Sequence, residues 1–290
     1  MNNIGWKRLR ILVTNKCNYR CPFCHNEGQS KEQCYDMMSF EDFKKLIDIL
    51  KDEKIEELHF SGGEPLLNKD LIRMILYVCH ETTWDIGCAS NLSLLRDEQI
   101  EMLAGSRVKF NIQFPFVNPS DFKKSTGNGS LSNILKTIEK VRMANIKIGL
   151  NSVIQSNNVS SLNSMIDFAL ENELPLKLLP QIGLQDSDRF KELAFPILNS
   201  KAKEVVNKGT GAIRWIIANS TKCTSVLYID SPCFYKDIKT CRNFGELRIH
   251  PNFELQTCIL NENCVKLSLQ ESKEEIISQL FELWNNFKTC

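Results

Sequence analysis

The chain has 290 residues, a formal net charge of +1, 42% apolar residues and a mean hydropathy of −0.24. That length buries a large core, and a near-neutral charge with Lys and Arg spread along the chain excludes a broad nucleic-acid or membrane-binding surface. Residues 1–7 hold no secretory apolar segment, no apolar run reaches membrane-spanning length, and twelve cysteines in such a chain point to metal or redox chemistry in a reducing compartment, the cytoplasm.

The first predicted element is a strand over 8–14, in which Leu9, Ile11 and Val13 alternate with Arg10, Leu12 and Thr14. It leads directly into Cys17-Asn18-Tyr19-Arg20-Cys21-Pro22-Phe23-Cys24. Three cysteines at C-x3-C-x2-C on a loop leaving a strand can converge on one side of a turn. Three thiolates leave one iron of a four-iron cluster open to another ligand. With His25 the same cysteines could also make a tetrahedral zinc site, and buried thiols or disulfides are the remaining readings.

After a polar stretch, Ser39 and Asp42 predict a capping box opening a helix that buries Phe43, Leu46, Ile47 and Leu50. A strand over 57–60 then runs into Ser61-Gly62-Gly63-Glu64-Pro65-Leu66. Two glycines there let the backbone approach a ligand closely, and an isolated glutamate can pair with an ammonium group. Next come a helix from about residue 70, a strand over 85–89 ending at Ser90-Asn91, a helix over 97–103 and a strand over 108–114 carrying Asn111 and Gln113. Asn128-Gly129-Ser130 opens a long helix. A strand over 147–154 carries Asn151 and Val153, a helix covers 161–170, and a sixth strand lies near 176–179. Alternating strands and helices predict a parallel sheet with its site at the strand carboxyl ends. Six units fall short of the eight that a closed barrel needs.

From about Gly209 the character changes, and six of the twelve cysteines lie in this last part. Short strands are expected over 214–218, 246–250 and 253–257. The expected division is residues 1–208 as the partial barrel and 209–290 as a small second domain. Its thiols predict a second metal centre on Cys233, Cys241, Cys258 and Cys264, with Cys223 a substitute for Cys233 or Cys264 and zinc the alternative occupant. Cys290 reads as free, and Cys34, Cys79 and Cys88 as core or surface thiols.

C-x3-C-x2-C with an aromatic residue, Phe23, before its last cysteine, followed one βα unit later by Gly-Gly-Glu-Pro, resembles the radical S-adenosylmethionine superfamily over residues 8–181. The resemblance implies a partial (βα)6 barrel, a [4Fe-4S] cluster on Cys17, Cys21 and Cys24, and S-adenosylmethionine chelating the open iron. It implies that Gly62, Gly63, Glu64 and Pro65 hold the methionine amino group. The expected chemistry is one-electron cleavage to a 5′-deoxyadenosyl radical that abstracts hydrogen from a peptide or small metabolite. A one-electron reductant such as flavodoxin or ferredoxin is the implied partner.

Within the superfamily, Leu9-Arg10-Ile11, residues 122–131 and residues 148–158 resemble the GTP cyclase of molybdenum-cofactor biosynthesis. That likeness implies cofactor contacts from Ser90, Asn91, Asn151 and Val153, with strand-end turn chemistry the alternative for both asparagines. It implies that Gln113 lies near the active site. Residues 241–258 resemble both the hairpin of SPASM and Twitch auxiliary-cluster domains, with Phe253 where a glycine is usual, and the second-cluster region of the cyclase. In the latter comparison the middle cysteine falls at Phe244 and an Asn-Arg-x-Arg run becomes Gly245-Glu246-Leu247-Arg248. Three functions are therefore in view: an oxidative enzyme with an auxiliary cluster, a nucleotide cyclase, and a non-catalytic metal-binding scaffold. Residues 118–125 and 183–190 are candidate substrate-facing segments.

Overall fold

In strand β1 (Arg8–Leu12), Leu9 and Ile11 are buried in the apolar core, while Arg8 and Arg10 occupy the opposite face. The structure, a computed structural model, describes residues 4–24, 36–209, 211–260 and 263–288. His25, Cys34 and Cys290 lie outside the described residues. Strands β2 (Glu57–Ser61), β3 (Asp85–Ser90), β4 (Val108–Gln113), β5 (Lys147–Ile154) and β6 (Leu176–Pro180) repeat the alternation. Leu58, Phe60, Ile86, Phe110, Ile112, Leu150 and Leu178 join the core, while Glu57, His59, Lys109, Asn111, Asn151 and Lys177 share the other face. One face of the sheet is apolar and the other is polar, as expected when helices cover only the outside of a barrel.

The covering helices are α1 (Phe40–Leu50), α2 (Leu71–Glu81), α3 (Asp97–Leu103), α4 (Pro119–Thr126), α5 (Leu131–Met143) and α6 (Leu162–Glu171). Ser39 caps α1 by accepting from Asp42 N at 3.1 Å, and its hydroxyl donates to the Asp42 carboxylate at 2.6 Å. The buried face of α1 carries Phe43, Leu46, Ile47 and Leu50, as the sequence pattern predicts. Phe43 meets Phe60 of β2 with ring centroids 5.6 Å apart.

Strands β1 to β6 pair in parallel in chain order. The last part of the chain then adds to both edges. Helix α7 (Phe190–Lys201) precedes β7 (Ala202–Asn207), β8 (Ala212–Ala218) and β9 (Cys223–Ile229), and β9 pairs in parallel with β6. Helix α8 (Ile238–Phe244) precedes β10 (Glu246–Ile249), which pairs in parallel with β1. Antiparallel hairpins finish each edge, β9-β8-β7 on one side and β10-β11-β12 on the other, with β11 at Glu254–Gln256 and β12 at Val265–Lys266. The sheet is an open partial barrel in the order β12-β11-β10-β1-β2-β3-β4-β5-β6-β9-β8-β7. The position 208/209 falls in the turn of the β7–β8 hairpin.

Phe253, where the resembling hairpins have glycine, holds the left-handed conformation with φ at 64°. Its N–H donates to the His250 carbonyl at 2.9 Å, closing the β10–β11 turn. A side chain in this region costs about 1–2 kcal/mol, offset here by packing of the Phe253 ring against the core.

Helix α9 (Lys273–Asn286) opens with a full capping box, Ser272 to Glu275, and packs Trp284 edge-on to the fully buried Trp6 at 4.7 Å. Phe287 stacks on the other side of Trp6 at 5.6 Å, and Arg242 of α8 sits 4.4 Å over the Trp284 ring while donating to the Phe287 carbonyl. Trp6 thus anchors α9 and the residue after it, and Arg242 ties α8 to that cluster. Trp6→Ala is expected to cost about 3–5 kcal/mol in urea denaturation and to raise amide exchange across 273–286 before it does so in α1. Equal exchange in both helices would show that Trp6 is not that anchor.

Candidate active site

The loop after β1 is fastened to the loop after β2 through the backbone. Gly63 N donates to the Thr14 carbonyl at 2.9 Å and Glu64 N to the Lys16 carbonyl at 2.9 Å. A Cβ on Gly63 would lie 2.1 Å from the Lys16 oxygen, and one on Gly62 2.2 Å from the Thr14 oxygen; Gly62 also has φ at 134°. The neighbours a side chain would meet are carbonyls of the cysteine loop. The two glycines are required by that close approach.

Further hydrogen bonds seat the cysteine loop. Arg20 N donates to the Thr126 carbonyl at the end of α4, and Asn18 Nδ2 donates to Ser93 Oγ at 2.8 Å. Buried Asn68 donates to the carbonyls of Val13 at 3.0 Å and Met38 at 2.9 Å, tying the strand before the loop to the segment that returns from it. Tyr19 N donates to Cys17 Sγ at 3.4 Å.

Pro65 begins a single 3-10 turn, Pro65–Leu67, where its missing N–H is no loss. Glu64 caps that turn and is 1% exposed. Its Oε1 accepts from Ser90 Oγ at 2.6 Å and Leu66 N at 3.1 Å, and its Oε2 accepts from Asn91 N at 2.8 Å. Ser90 and Asn91 therefore support Glu64 directly. The Asn91 side chain donates to Asn18 Oδ1 at 2.9 Å and accepts from Ser93 N at 2.9 Å, an Asx turn that also reaches the cysteine loop.

The two loops and the end of β3 open on one cavity of about 360 Å³. Cys17, Cys21, Phe23, Cys24, Gly62, Gly63, Glu64, Ser90, Asn91, Gln113, Asn151 and Val153 all line it. Pro65 is buried and does not line it. Tyr19, Arg10, Asn111 and Arg248 line it too, as do Ile229, Ser231 and Ile259 of the C-terminal part. Among the described residues Gln113 Nε2 and Asn151 Oδ1 are buried there with no hydrogen-bond partner, so the wall offers a donor and an acceptor on paired positions of β4 and β5. A larger groove, about 610 Å³ between α5 and α6, lies on the outer surface and holds none of this chemistry.

Of the auxiliary cysteines, Cys233, Cys241, Cys258 and Cys264 do not line the cavity, although Ser231 and Ile259 beside two of them do. Cys233 lies in the turn that follows the carboxyl end of β9, Cys241 lies in α8, and Cys241 and Cys258 both pack against the core. Cys264 is exposed. Cys223 begins β9, whose far end carries the cavity residue Ile229, so it sits about 20 Å from the site at strand geometry.

The donor set suits an iron–sulfur cluster. Ten described cysteines are free thiols, and Cys17, Cys21 and Cys24 face one cavity. Burial pushes the Cys21 thiol up to about 12, with Cys17 and Cys24 adding to it. Burial likewise pushes Cys17 up to about 11, with Glu64 and Cys24 adding to it. Ionising one disfavours ionising the next, which a cationic metal centre reverses. Among the described residues no three His, Cys, Asp or Glu groups gather closely enough for a single metal ion. A cubane gives each thiolate its own iron and takes a wider triangle.

A model of the radical SAM superfamily matches residues 11–169, more than half of the chain. The chain belongs to the radical SAM superfamily and is a radical SAM enzyme, whose family cofactors are a [4Fe-4S] cluster and S-adenosylmethionine. It is 23% identical over 94% of its length to a "Probable GTP 3',8-cyclase" of Saccharolobus islandicus, covering 92% of that protein, and 25% identical over 89% to one of Methanococcus maripaludis, covering 86%. Among solved structures, Streptococcus suis SuiB bound to S-adenosylmethionine aligns over 98% of this chain and 66% of SuiB, with a TM-score of 0.73 at 14% identity. Native anSMEcpe with bound AdoMet aligns over 96% and 82%, at 0.66 and 12%. These likenesses are to the fold. Among the described residues no helix is long and apolar enough to cross a membrane.

Burial drives the Glu64 carboxyl up to about 7, against the hydrogen bonds from Asn91, Ser90 and Leu66 that favour its charge. With no cationic partner for this carboxyl, the folded state holds the proton longer than the unfolded chain, so stability falls as pH rises from about 4.5 to 7 and is flat above. If Glu64 receives the methionine amino group, that contact needs the carboxylate, and S-adenosylmethionine binding would expel the proton. Its affinity is expected to be about tenfold weaker at pH 6 than at pH 8 by calorimetry, with Glu64→Gln removing one proton from the linkage. An affinity independent of pH would exclude Glu64 from the cofactor contact.

Proposed function

We propose that this radical SAM enzyme oxidises an unactivated C–H position of a peptide or small metabolite, using a second [4Fe-4S] cluster on Cys233, Cys241, Cys258 and Cys264. The observation that carries this reading is the cavity's second wall: Ile229, Ser231, Arg248 and Ile259 face Glu64 and the three loop cysteines across one space. A cluster bound beside that wall would lie within reach of a product radical. The bound first cluster and S-adenosylmethionine supply a one-electron cleavage that begins hydrogen abstraction, fed by a reductant such as flavodoxin or ferredoxin.

The chain's own residues bind, orient and exclude water. Cys17, Cys21 and Cys24 would hold the cluster, and Glu64, kept in place by Ser90 and Asn91, would receive the methionine amino group. Gln113 and Asn151, with an unpaired donor and acceptor, would meet polar groups of the cofactor nucleoside, and Val153 would pack beside them. Phe23, Val153, Leu179 and Ile229 make the apolar part of the wall that keeps water from the reacting atoms. Two solved structures of similar fold, SuiB bound to precursor peptide SuiA and anSMEcpe with bound AdoMet and Kp18Cys peptide, hold peptides, which supports a peptide substrate.

A second reading, a nucleotide cyclase of the GTP 3',8 type, is supported by the near full-length match to relatives of that name. Iron, sulfide and Mössbauer measurements on anaerobically reconstituted protein separate a two-cluster enzyme from a one-cluster enzyme. The wild type is expected to hold about eight irons and a Cys17/Cys21/Cys24→Ala variant about four. About four and none would remove the auxiliary cluster. Tight GTP binding that is lost in a Cys241/Cys258→Ala variant would favour the cyclase over the oxidase.

A further inference from the structure

The loop that carries Cys17, Cys21 and Cys24 has an inner and an outer side. Phe23 and the three cysteines line the cavity on the inner side, while Arg20 and Pro22 are exposed to solvent. Arg20 is the residue before Cys21, so the surface there lies one residue, about 3.8 Å between Cα atoms, from a cysteine of the site.

The same surface continues onto α4. Arg20 N donates to the Thr126 carbonyl at 3.0 Å, and a Cβ on Gly127 would lie 3.6 Å from the Arg20 Cβ. Lys123 stands about one helical turn before Gly127, and Lys124 follows it; both are exposed. Arg20, Lys123 and Lys124 thus border one another around the end of α4. Their side chains make no hydrogen bond or ion pair among the described residues. Asp121, the one acid of α4, pairs with neither lysine among those residues. Three cations and one acid leave a local charge of +2, on a chain whose net charge is +1. Residues 118–125 read from the sequence as a substrate-facing segment, yet none of them lines the cavity. The two lysines are outside the site rather than within it.

A one-electron reductant protein has to approach the first cluster from the outer side of this loop, because the inner side faces the cavity. Interfaces between redox proteins are small and short-lived, so charge governs the rate of encounter more than buried area does. An acidic carrier is steered by this patch to the back of the cysteine loop, and a basic one is repelled.

We propose that Arg20, Lys123 and Lys124 form the docking surface for an acidic one-electron carrier protein of the flavodoxin or ferredoxin kind. The carrier loses one electron and the first cluster gains it, with no bond made or broken. This rests on the radical SAM reading of the cysteine loop and adds where its reductant binds.

Electron transfer from a purified, reduced acidic flavodoxin to the anaerobically reconstituted full-length protein is followed by stopped-flow absorbance. Wild type is compared with Arg20→Gln/Lys123→Gln/Lys124→Gln at low and at physiological salt. The variant is expected to be at least about tenfold slower at low salt and to lose most of the salt dependence. The methyl viologen radical cation, a small reductant that needs no docking, is expected to reduce both proteins equally. Carbodiimide cross-linking of the wild type is expected to join Lys123 and Lys124 to flavodoxin carboxylates, and added salt to suppress the products. An unchanged flavodoxin rate in the variant, a loss shared with methyl viologen, or cross-links that avoid both lysines overturns the proposal. The cross-link map needs no variant, so it decides alone should the triple variant fold poorly. Cleavage of S-adenosylmethionine with methyl viologen as the reductant reports separately on the enzyme reading. A protein that cleaves the cofactor yet accepts flavodoxin electrons equally without the three charges sinks this inference alone.

Discussion

Gly63 N to the Thr14 carbonyl and Glu64 N to the Lys16 carbonyl are two ordinary hydrogen bonds, and the site depends on them. They join the loop that carries Cys17, Cys21 and Cys24 to the loop that carries Glu64. Any displacement of one loop moves the other, so the thiols and the carboxylate keep their spacing. Glycine is needed at both 62 and 63 because a methyl group would occupy the space of a carbonyl oxygen. Ser90 and Asn91 from the end of β3 then lock the carboxylate from the opposite side. Three consecutive βα loops thus converge on one acidic group. This is the preorganisation that a cofactor with an amino group requires.

The remainder of the architecture follows from the two faces of the strands. Helices cover the face bearing Leu9, Leu58, Phe110 and Leu178, leaving the concave face to side chains that no core would accept. Arg10, Asn111, Gln113 and Asn151 are tolerated there because the barrel stays open and their polar ends meet a cavity. The C-terminal part does not stand apart from this arrangement. It adds β9 beyond β6 and β10 beside β1, so residues from both of its arms, Ile229 and Arg248, reach the same space from opposite edges.

Much of this was legible in the sequence, and the reasons are local. The β1 to β6 rhythm could be read because Leu9, Ile11, Phe110 and Leu150 alternate cleanly and each strand ends in turn residues such as Ser90-Asn91. The cysteine spacing and Gly-Gly-Glu-Pro identified the family before any coordinates. Strand β9 was not foreseen, although Thr224, Val226 and Tyr228 alternate into the core after a turn capped by Asn219, and its place in the sheet was not local, since its parallel partner β6 is 47 residues earlier in chain order, counting from Leu176 to Cys223. Helices α7 and α8 were missed for other reasons: Pro196 interrupts the first, and the second is a short run with a single apolar edge. The role of Ser90 and Asn91 as supports for Glu64 was hidden for a simpler reason. It depends on a contact between residues 26 and 27 positions apart that no periodicity encodes. An arginine placed mid-strand at Arg10 was the available signal for an occupied polar interior, and the parallel partner of β1 was needed to see its ion pair with Glu246.

The most direct measurement is the yield of 5′-deoxyadenosine from anaerobically reconstituted, reduced protein carrying the single change Gly63→Ala. The added methyl would fall 2.1 Å from the Lys16 oxygen, so the two loops must part although no ligand has been removed. The account predicts a loss of at least a hundredfold in 5′-deoxyadenosine, with far-ultraviolet circular dichroism unchanged because the core lies elsewhere. Wild-type yield from Gly63→Ala would contradict it, since the clasp between the loops would then not be what sets the site.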